Sequence, residues 1–389
     1  MFSISTFHEL LKGLPRATFA KLVQARKADK YAKRFGHWDH LVAMLYAQWS
    51  EAPGLRALEA GFNSHESHHF HLGTGCIKRA TLAEANARRS DAVFHDAATW
   101  LMGQVSGQRR REGAKLMYLL DSTSLTLKGR EFEAWTRENR TRHTQGIKVH
   151  VLLDAQTCAP QWHSFSAANV NDVELVDRVP LCAGARYVFD KGYCDYTWWH
   201  RIDQVGAHFV TRFKRNASLT QLEQRAVPDD TASCLVLADE IVKFNHRHPG
   251  GGRTNPYATP LRCITVARPD HPTPLVLATN DLTSPAWEIA QCYRERWGIE
   301  LFFKWIKQHL KIKKFLGRSE NAVRIQVLTA LISYLLLALY KQRHALQGTL
   351  WECLAKARAT LFQRIQTETC QREKRRRQHQ AASRQLVLI

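Results

Sequence analysis

The sequence AKLMYLLDSTSLTLK occupies residues 114–128 and marks a change in the pattern of the chain. An apolar run passes there into an alternation of apolar and polar side chains, which is typical of a β-strand. Before this point apolar residues recur at helical spacing, with breaks at Pro15, Gly36 and Pro53. We therefore predict a helical region over residues 1–105 and a sheet that begins near residue 114.

The segments after this strand predict the rest of one α/β domain. Further strands are expected over residues 146–154, 160–168, 186–190 and 208–213. Helices are expected over residues 172–179 and 196–205. Three strands, a helix, a strand, a helix and a strand are the order of a ribonuclease H-like domain. The predicted fold class is therefore α/β.

A β-rich insertion is predicted within this domain, over residues 216–284. Its apolar segments have the composition of strands, and it is too long to be a connecting loop. Helices resume at Pro285 and continue to a basic tail over residues 372–384. We expect a helical domain over 1–105, an α/β domain over 106–320, and C-terminal helices with the tail over 321–389.

The net charge points to a polyanionic partner. Lysine and arginine number 56 against 35 acidic residues, which gives a net charge of +21 and an isoelectric point of about 9.8. An isoelectric point above about 9 is the footprint of a nucleic-acid-binding domain. The alternative is a solvated basic surface on another kind of enzyme. Charge sets affinity for DNA or RNA and does not determine sequence specificity.

Cysteine usage and hydropathy set the expected compartment. The nine cysteines show no C-x-x-C pair, so neither a zinc site nor a disulfide framework is indicated. The longest apolar candidate, residues 330–340, is shorter than the roughly 18 residues of a membrane span. The N-terminus lacks the pattern of a secretory signal. We expect a soluble, cytoplasmic protein without a membrane partner.

Two acids follow buried apolar runs on separate predicted strands. Asp121 follows LMYLL, and Asp190 follows YVF. A carboxylate at the end of a buried run is costly unless something compensates it, and two neighbouring carboxylates repel unless a cation lies between them. Oxygen ligands of this kind suit Mg²⁺. Taken singly, each acid is better explained as a turn or cap residue, whereas the two together in a basic chain favour the metal site.

A third acid lies on a predicted helix over residues 286–312, AWEIAQCYRERWGIELFFKWIKQHLKI. At about 100° per residue, one face carries Tyr293, Arg296, Glu300 and Lys307, with Lys304 close to it. One acid among cations suits a surface where Glu300 reaches a metal and the cations bind phosphates. The alternative is an i,i+4 salt bridge between Arg296 and Glu300 on a solvated face.

These blocks resemble a known family. The pattern Y-x2-R-x3-E-x6-K is the signature of bacterial insertion-sequence transposases of the DDE class, in the insertion-sequence-four family. LLDSTSL around Asp121 and YVFDKGYCDY around Asp190 are similar to its first two catalytic blocks. FHLGTG and KRATLAEAN resemble the helical domain that precedes the catalytic domain in one subgroup. The three blocks occur in order, with a β-rich insertion before the third.

The resemblance implies a two-metal mechanism. Asp121, Asp190 and Glu300 would hold two ions, Mg²⁺ or Mn²⁺, which activate water or a DNA 3′-hydroxyl and stabilise the leaving oxygen. Hydrolysis would free a transposon end, and its 3′-hydroxyl would then attack target DNA. The expected partners are double-stranded DNA, as inverted-repeat ends and target, and a second copy of the chain in a homodimer on DNA.

The resemblance also implies DNA contacts near the cut. Tyr293, Arg296 and Lys307 would hold phosphates, with Lys304 beside them. Lys191, next to Asp190, is a further phosphate candidate. An exposed aromatic would hold a flipped base, for which Trp297 and Trp287 are candidates. The favoured alternative is that both tryptophans are ordinary core aromatics of a helix. We expect the basic helices over residues 1–105 to recognise the DNA ends.

Two other functions stay open at this stage. A non-catalytic DNA-binding regulator derived from a transposase would be expected to lack an acid or part of the catalytic domain, and the chain shows neither loss. A ribonuclease H-like nuclease would cut DNA without joining it, and the signature from Tyr293 to Lys307 argues against it.

Several polar residues outside the signature have ordinary interpretations. The histidines of HESHHFH (residues 65–71) lack partner cysteines and a fixed ligand spacing, so a surface or DNA-facing cluster is preferred over a metal site. Lys148 and His150 alternate with apolar residues, which a half-exposed strand explains as well as a groove. Asp172 is expected to cap a helix. Asp195 is a weaker ligand candidate than Asp190, which ends the apolar run.

Overall fold

A computed structural model describes residues 5–111, 116–139, 144–227, 236–246, 254–269 and 271–363. The predicted basic tail lies outside these residues, as do residues 228–235 of the predicted β-rich insertion. The described chain forms two compact units. One comprises residues 1–97 with 332–389, and the other comprises residues 98–331. The C-terminal part of the chain, from residue 332, thus belongs to the same unit as the N-terminal helices.

The first unit is helical, as the apolar spacing predicts. Its helices are α1 (Thr6–Leu11), α2 (Arg16–Ala25), α3 (His37–Trp49), α4 (Leu55–Asn63), α5 (His69–Leu72), α6 (Arg79–Arg88) and α13 (Leu350–Ala359), with the first part of α7 (Ala92–Arg111) and the last part of α12 (Glu320–Arg343). Helix α3 is the core element, since eleven of its thirteen residues are buried. The carboxylate of Asp39 accepts the N–H of Gly36 at 2.8 Å and so caps the start of α3.

Helix α12 corrects one expectation from the sequence. The sequence predicted no stretch long and apolar enough to cross a membrane, but Glu320–Arg343 meets that criterion by length and composition. Within the structure, 83% of its most apolar 18-residue window is buried. Burial of this extent is typical of a core helix in a globular protein.

The second unit is built on one mixed sheet. Its strands are β1 (Met117–Thr126), β2 (Arg137–Asn139), β3 (Thr144–Asp154), β4 (Pro160–Ala167), β5 (Arg186–Phe189), β6 (His208–Arg212), β7 (Leu219–Gln224), β8 (Val236–Phe244), β9 (Leu261–Arg268) and β10 (His271–Thr279). The order is β2-β3-β1-β5-β6-β10-β9-β8-β7, and β4 pairs with β3. Its shorter helices are α8 (Arg130–Glu133), α9 (Tyr196–Gln204), α10 (Ala286–Glu295) and α11 (Trp297–His309).

The centre of the sheet has the predicted ribonuclease H-like order, which confirms the fold class. β1 pairs antiparallel with β3 and parallel with β5, and β5 pairs parallel with β6. The predicted helix over 172–179 is a 3₁₀-helix from Asp172 to Arg178. The β-rich insertion continues the same sheet, because β10 pairs antiparallel with β6. Strand β7 was not predicted.

Apolar packing fixes the two central strands in register. Leu119 and Leu120 of β1 lie opposite Val188 and Phe189 of β5, and all four side chains are buried. The indole of Trp198 packs on Phe189 at a ring-centroid distance of 4.6 Å. Parallel strands point the same way, so the residues that follow Leu120 and Phe189 emerge at one edge of the paired region.

Candidate active site

Asp121 and Asp190 emerge side by side from the parallel pair of strands. Each follows directly on the last paired residues, Leu120 and Phe189. Strand β5 ends there, whereas β1 does not, since it continues through Asp121 to Thr126 along β3. Both acids therefore follow a buried apolar run, as the sequence indicates, and β1 continues beyond its acid as the predicted strand does. Both side chains are partly buried, with exposures of 22% for Asp121 and 34% for Asp190.

The ionisation of Asp121 depends on burial and on its charged neighbours. Burial raises the pKa of Asp121 to about 6. The N–H of Ser122, at 2.7 Å, and the charge of Arg296 lower it, while the charges of Glu300 and Asp190 raise it further. A divalent cation would relieve this strain, because it stabilises the ionised form of each acid.

The pKa of Asp190 is shifted in the opposite direction, because of an arginine on a neighbouring strand. Burial raises its pKa, but an ion pair with Arg212 of β6, at 2.5 Å between Nη2 and Oδ1, lowers it. The Lys191 N–H and the charge of Arg296 lower it further, and the pKa is lowered overall. Sequence reasoning missed Arg212. Its signal was available, since Arg212 ends a buried run on the strand parallel to β5, as Asp190 does on β5.

Arg296 brings the third acid to the first. It lies at a break between α10 and α11, so the single helix predicted over 286–312 is two helices. Its Nη2 donates to Oε1 of Glu300 at 2.6 Å, and its Nη1 lies 3.7 Å from Oδ2 of Asp121. The i,i+4 salt bridge considered from the sequence is therefore present. It lies at the acids rather than on a solvated face, since the Arg296 side chain is 16% exposed.

A glycine allows α11 to approach β1 closely. A Cβ at Gly298 would lie 3.2 Å from Cδ1 of Leu119, which is tighter than ordinary packing. The absence of a side chain here lets the first turn of α11 lie against the strand that carries Asp121. Glu300 follows two residues later, so the close approach sets the position of the third acid.

The other signature residues line the same face of the unit. Tyr293 is buried, with the Arg296 guanidinium 5.8 Å from its ring centroid. The Nζ of Lys307 donates to the carbonyl of Ser124 on β1 at 3.3 Å. Burial, together with the charge of Lys313, lowers the pKa of Lys307. Lys304 and Lys191 are exposed.

The interpretation of the two candidate tryptophans as core aromatics is wrong. Trp297, next to Arg296, is 57% exposed, and Trp287 is 41% exposed. An indole exposed to this extent is accessible and offers a flat apolar surface on which a base can stack. Helical spacing alone could not show whether these tryptophans lie on the exposed or on the buried face of the helix.

The acids fit a divalent cation by chemistry rather than by preformed geometry. Within the described ranges, no three His, Cys, Asp or Glu side chains converge closely enough to hold a metal ion. The donors of Asp121, Asp190 and Glu300 are all carboxylate oxygens, the ligands that Mg²⁺ and Mn²⁺ prefer. Arg296 and Arg212 supply the compensating positive charge here. A metal would take over that role.

A buried polar network lies directly behind Asp121. The Oγ of Ser122 donates to Oδ1 of Asp172 at 3.0 Å. Lys148 donates to the same oxygen at 3.0 Å and to the carbonyl of Val170 at 2.6 Å. Asp172 therefore anchors the strand position that follows Asp121. The expected cap at Asp172 is wrong, because Asn171 is the N-cap of the 3₁₀-helix.

The network extends to the strand of the second acid. His150 is fully buried and contacts the Tyr193 hydroxyl at 3.1 Å and the Ser166 hydroxyl at 2.8 Å. Tyr193 follows Asp190 by three residues and is also buried. The expectation of a half-exposed strand at Lys148 and His150 is wrong, since both residues are buried. Strand β4 pairs antiparallel with β3 along this stretch and contributes the Ser166 hydroxyl.

The remaining candidates have structural roles. His69 is buried, with its ring stacked on Phe62 at 4.4 Å, which corrects the expectation of a surface cluster at that position. Asp195 caps α9 by accepting the Trp198 N–H at 2.9 Å.

Comparison with known proteins agrees with these features. A model of the transposase DDE domain matches residues 112–336, and a model of a domain of unknown function matches residues 3–75. The protein y4zB of Sinorhizobium fredii, named as a transposase, is 42% identical over 257 residues, which are 66% of this chain and 69% of that protein.

More distant proteins are similar as well. A Synechocystis protein, named as a transposase for insertion sequence element IS4SA, is 26% identical over 271 residues, 67% of this chain and 71% of that protein. The solved piggyBac transposase synaptic complex with hairpin DNA has a TM-score of 0.45 and 12% identity, and the match covers 92% of this chain and 78% of that chain. Because the transposase model matches more than half of the chain and contains all three acids, the protein belongs to the DDE transposase family, whose enzymes depend on divalent metal and act on DNA.

Proposed function

We propose that Asp121, Asp190 and Glu300 form the metal centre of a cut-and-paste transposase and hold two Mg²⁺ or Mn²⁺ ions. The observation that supports this most directly is the placement of Arg296, which contacts both Asp121 and Glu300 and so joins the helix acid to the strand acid. When bound, such ions activate the attacking oxygen and stabilise the leaving oxygen of a phosphodiester.

The protein's own groups would bind and orient the DNA. Arg296 and Tyr293 lie together at the acid edge, and Lys307 lies farther along β1. We assign these three to phosphates near the cut, with Lys304 and Lys191 as exposed contacts. Trp297 is our first choice to hold a flipped base, because it is exposed and adjacent to Arg296.

The substrates in this proposal are double-stranded inverted-repeat ends and target DNA. Bringing two ends together requires two active sites, so we propose a homodimer on DNA. Residues 1–105, the helical part, would recognise the end sequence. A basic protein that acts on DNA would work in the bacterial cytoplasm, in contact with the nucleoid.

Matched substitutions test the metal centre. Asp121→Asn, Asp190→Asn and Glu300→Gln should each abolish cleavage of an end duplex and weaken Mn²⁺ binding measured by calorimetry. Glu295→Gln is the control, since Glu295 is an exposed acid just before Arg296. Its cleavage and Mn²⁺ affinity should stay unchanged. Normal cleavage by Asp121→Asn would refute the assignment.

A strand-transfer assay separates transposition from simple hydrolysis. A pre-cut end with a free 3′-hydroxyl should be joined to target DNA by the wild-type protein in the presence of Mg²⁺. A ribonuclease H-like nuclease would cut the uncut end but leave the pre-cut end unjoined. A non-catalytic regulator would bind the end and do neither.

A further inference from the structure

A basic cavity lies beyond Lys307, apart from the three acids. It has a volume of about 530 Å³ and opens between the segment after β1 and the segment after α11. Its principal lining residues are Lys128, Phe132, Lys313, Lys314, Phe315 and Arg318. A cavity of this volume is in the range of small-molecule sites, so it accommodates a piece the size of a nucleotide.

The charge of the cavity is strongly positive. Four cationic side chains line it against one carboxylate, that of Glu131. Glu131 pairs with Arg318 at 2.8 Å, which leaves Lys128, Lys313 and Lys314. These three are exposed, and none forms an ion pair with a carboxylate in the described part of the chain. Three ammonium groups that line one cavity without a carboxylate partner favour the binding of a polyanion.

The wall that carries Lys313 and Lys314 is held in place from inside the protein. The amide of Gln326, which is 1% exposed, donates to the carbonyls of Lys311 and Lys314 at 2.6 and 3.0 Å. Its oxygen accepts the Leu316 N–H at 2.8 Å. A buried glutamine that makes three bonds to one irregular segment fixes that segment, so the two lysines project from a preorganised wall.

The two walls are also tied to each other. The indole N–H of Trp135 donates to the Arg318 carbonyl at 2.9 Å, and the Glu131–Arg318 ion pair spans the same gap. Phe132 and Phe315 supply the apolar part of the lining. The cavity thus combines an apolar surface with cations, which bind the phosphates of a DNA backbone.

Strand β1 sets the distance from the acids to the cavity. Thr126, at the cavity, is five residues beyond Asp121 on the same strand, which corresponds to about 17 Å at 3.3 Å per residue. Lys307 contacts Ser124 between the two. Along duplex DNA, about 17 Å spans roughly five base pairs.

We propose that the DNA duplex runs along β1 and that this cavity binds its backbone phosphates about five base pairs from the phosphate that lies at the acids. The inference rests on the proposed function, because it takes the acids as the point of cleavage. Lys313 and Lys314 bind the phosphates from one wall and Lys128 from the other. The DNA is either the transposon end or the target, and both present the same phosphodiester chemistry.

Binding measured without metal tests the cavity independently of cleavage. Lys313→Gln/Lys314→Gln should lower the slope of log K against log salt concentration by about 1.8, since each lost phosphate contact contributes about 0.9. The matched control is Arg215→Gln/Lys243→Gln, which removes two exposed cations of the same unit away from the cavity. Its slope should stay at the wild-type value. Lys128→Gln, on the opposite wall, is a second variant, with an expected change of about 0.9.

Methylphosphonate substitution then locates the contact and identifies the DNA. A neutral linkage about five base pairs from the cut should weaken wild-type binding and have no further effect on Lys313→Gln/Lys314→Gln. If this holds for the end duplex, the cavity binds the transposon end. If it holds only for target DNA in strand transfer, the cavity binds target.

Wild-type salt slopes for all cavity variants, on both DNAs, would overturn the proposal. A different result would refute the proposed metal centre. In that case Asp121→Asn would still cleave DNA, while the cavity variants would still change the salt slopes measured in chelator.

Discussion

Replacing Asp121 by asparagine should stabilise the metal-free protein while it abolishes cleavage. Burial raises the pKa of Asp121 from an ordinary value of 3.8 to about 6, even with Arg296 at 3.7 Å. A shift of about two units means that the folded state disfavours the carboxylate by about 3 kcal/mol. Asparagine has nearly the same shape and no charge, and its oxygen can still accept the Ser122 N–H. The variant therefore avoids most of this cost.

The pH dependence of this difference has a defined sign. Between pH 3.8 and about 6 the folded protein keeps a proton on Asp121 that the unfolded chain has lost. The wild-type free energy of unfolding therefore falls as pH rises through this window. The advantage of Asp121→Asn should be absent near pH 4 and should reach about 3 kcal/mol above pH 7.

Urea unfolding in the presence of a chelator measures the difference. The buried indoles of Trp198 and Trp199 report on the α/β unit by fluorescence. A change of 3 kcal/mol is large against a total stability of about 5–15 kcal/mol. Added Mn²⁺ should reverse the order of the two proteins, because binding stabilises only the form that has the ligand.

Asp190→Asn is the internal control for this reasoning. Its ion pair with Arg212 leaves the pKa lowered, although burial raises it, so the charged form stabilises the fold and the variant should be less stable at pH 7. The two acids should thus give the same loss of cleavage and opposite changes in stability. A less stable Asp121→Asn, or a difference that does not change with pH, would refute the argument.

Further predictions follow from burial. Burial lowers the pKa of His150 to about 4, so stability is lost as pH falls from about 6.5 to 4; His150→Gln should flatten that part of the urea-unfolding profile by up to about 3 kcal/mol, and an unchanged profile would contradict this. Lys148→Met should cost about 3 kcal/mol in urea unfolding because it leaves Asp172 without its cation, and Lys148→Met/Asp172→Leu should recover part of the loss; equal losses in both variants would rule out the ion pair as the cause. Trp297→Ala should change stability by less than about 0.5 kcal/mol but reduce 2-aminopurine fluorescence changes at the transposon end, whereas the core variant Trp198→Ala should lose about 3–5 kcal/mol; unchanged fluorescence in Trp297→Ala would exclude this indole as the base-holding group.

The sequence was sufficient for the centre of the sheet, and the reason is physical. A buried apolar run can end in an acid only where the fold brings compensation, so Asp121 and Asp190 stand out from their own strands. The parallel register of Leu120 with Phe189 then places them together. The two runs also lie inside the sheet, as expected of runs buried on both faces.

The buried polar groups were not predictable by the same means. Lys148 and His150 alternate with apolar residues, and such alternation is typical of a strand with one solvent-exposed face. The strand is enclosed instead, and the lysine is satisfied by Asp172, 24 residues away. Periodicity measures local alternation and contains no information about a partner at that separation.

The break at Arg296 was also beyond the sequence pattern. Neither proline nor an N-cap residue marks it, and the periodicity continues across it. The cause lies in tertiary packing, since Gly298 lets α11 lie against Leu119 while Arg296 reaches both Asp121 and Glu300. A signature residue identified from spacing thus has a second role, at the joint between two helices.

Strand β1 runs from Asp121 to the proposed DNA-binding cavity, and one glycine on β3 allows the two strands to stay paired over this distance. Gly146 pairs with Thr126 at the end of β1, with a φ of +151° that L side chains rarely adopt. A Cβ there would lie 2.0 Å from the carbonyl oxygen of Leu125. Only glycine lets the two strands stay paired to this point. The spacing from Asp121 to the cavity is therefore a property of the ladder itself, since an extended strand paired along its length cannot change its rise without breaking hydrogen bonds.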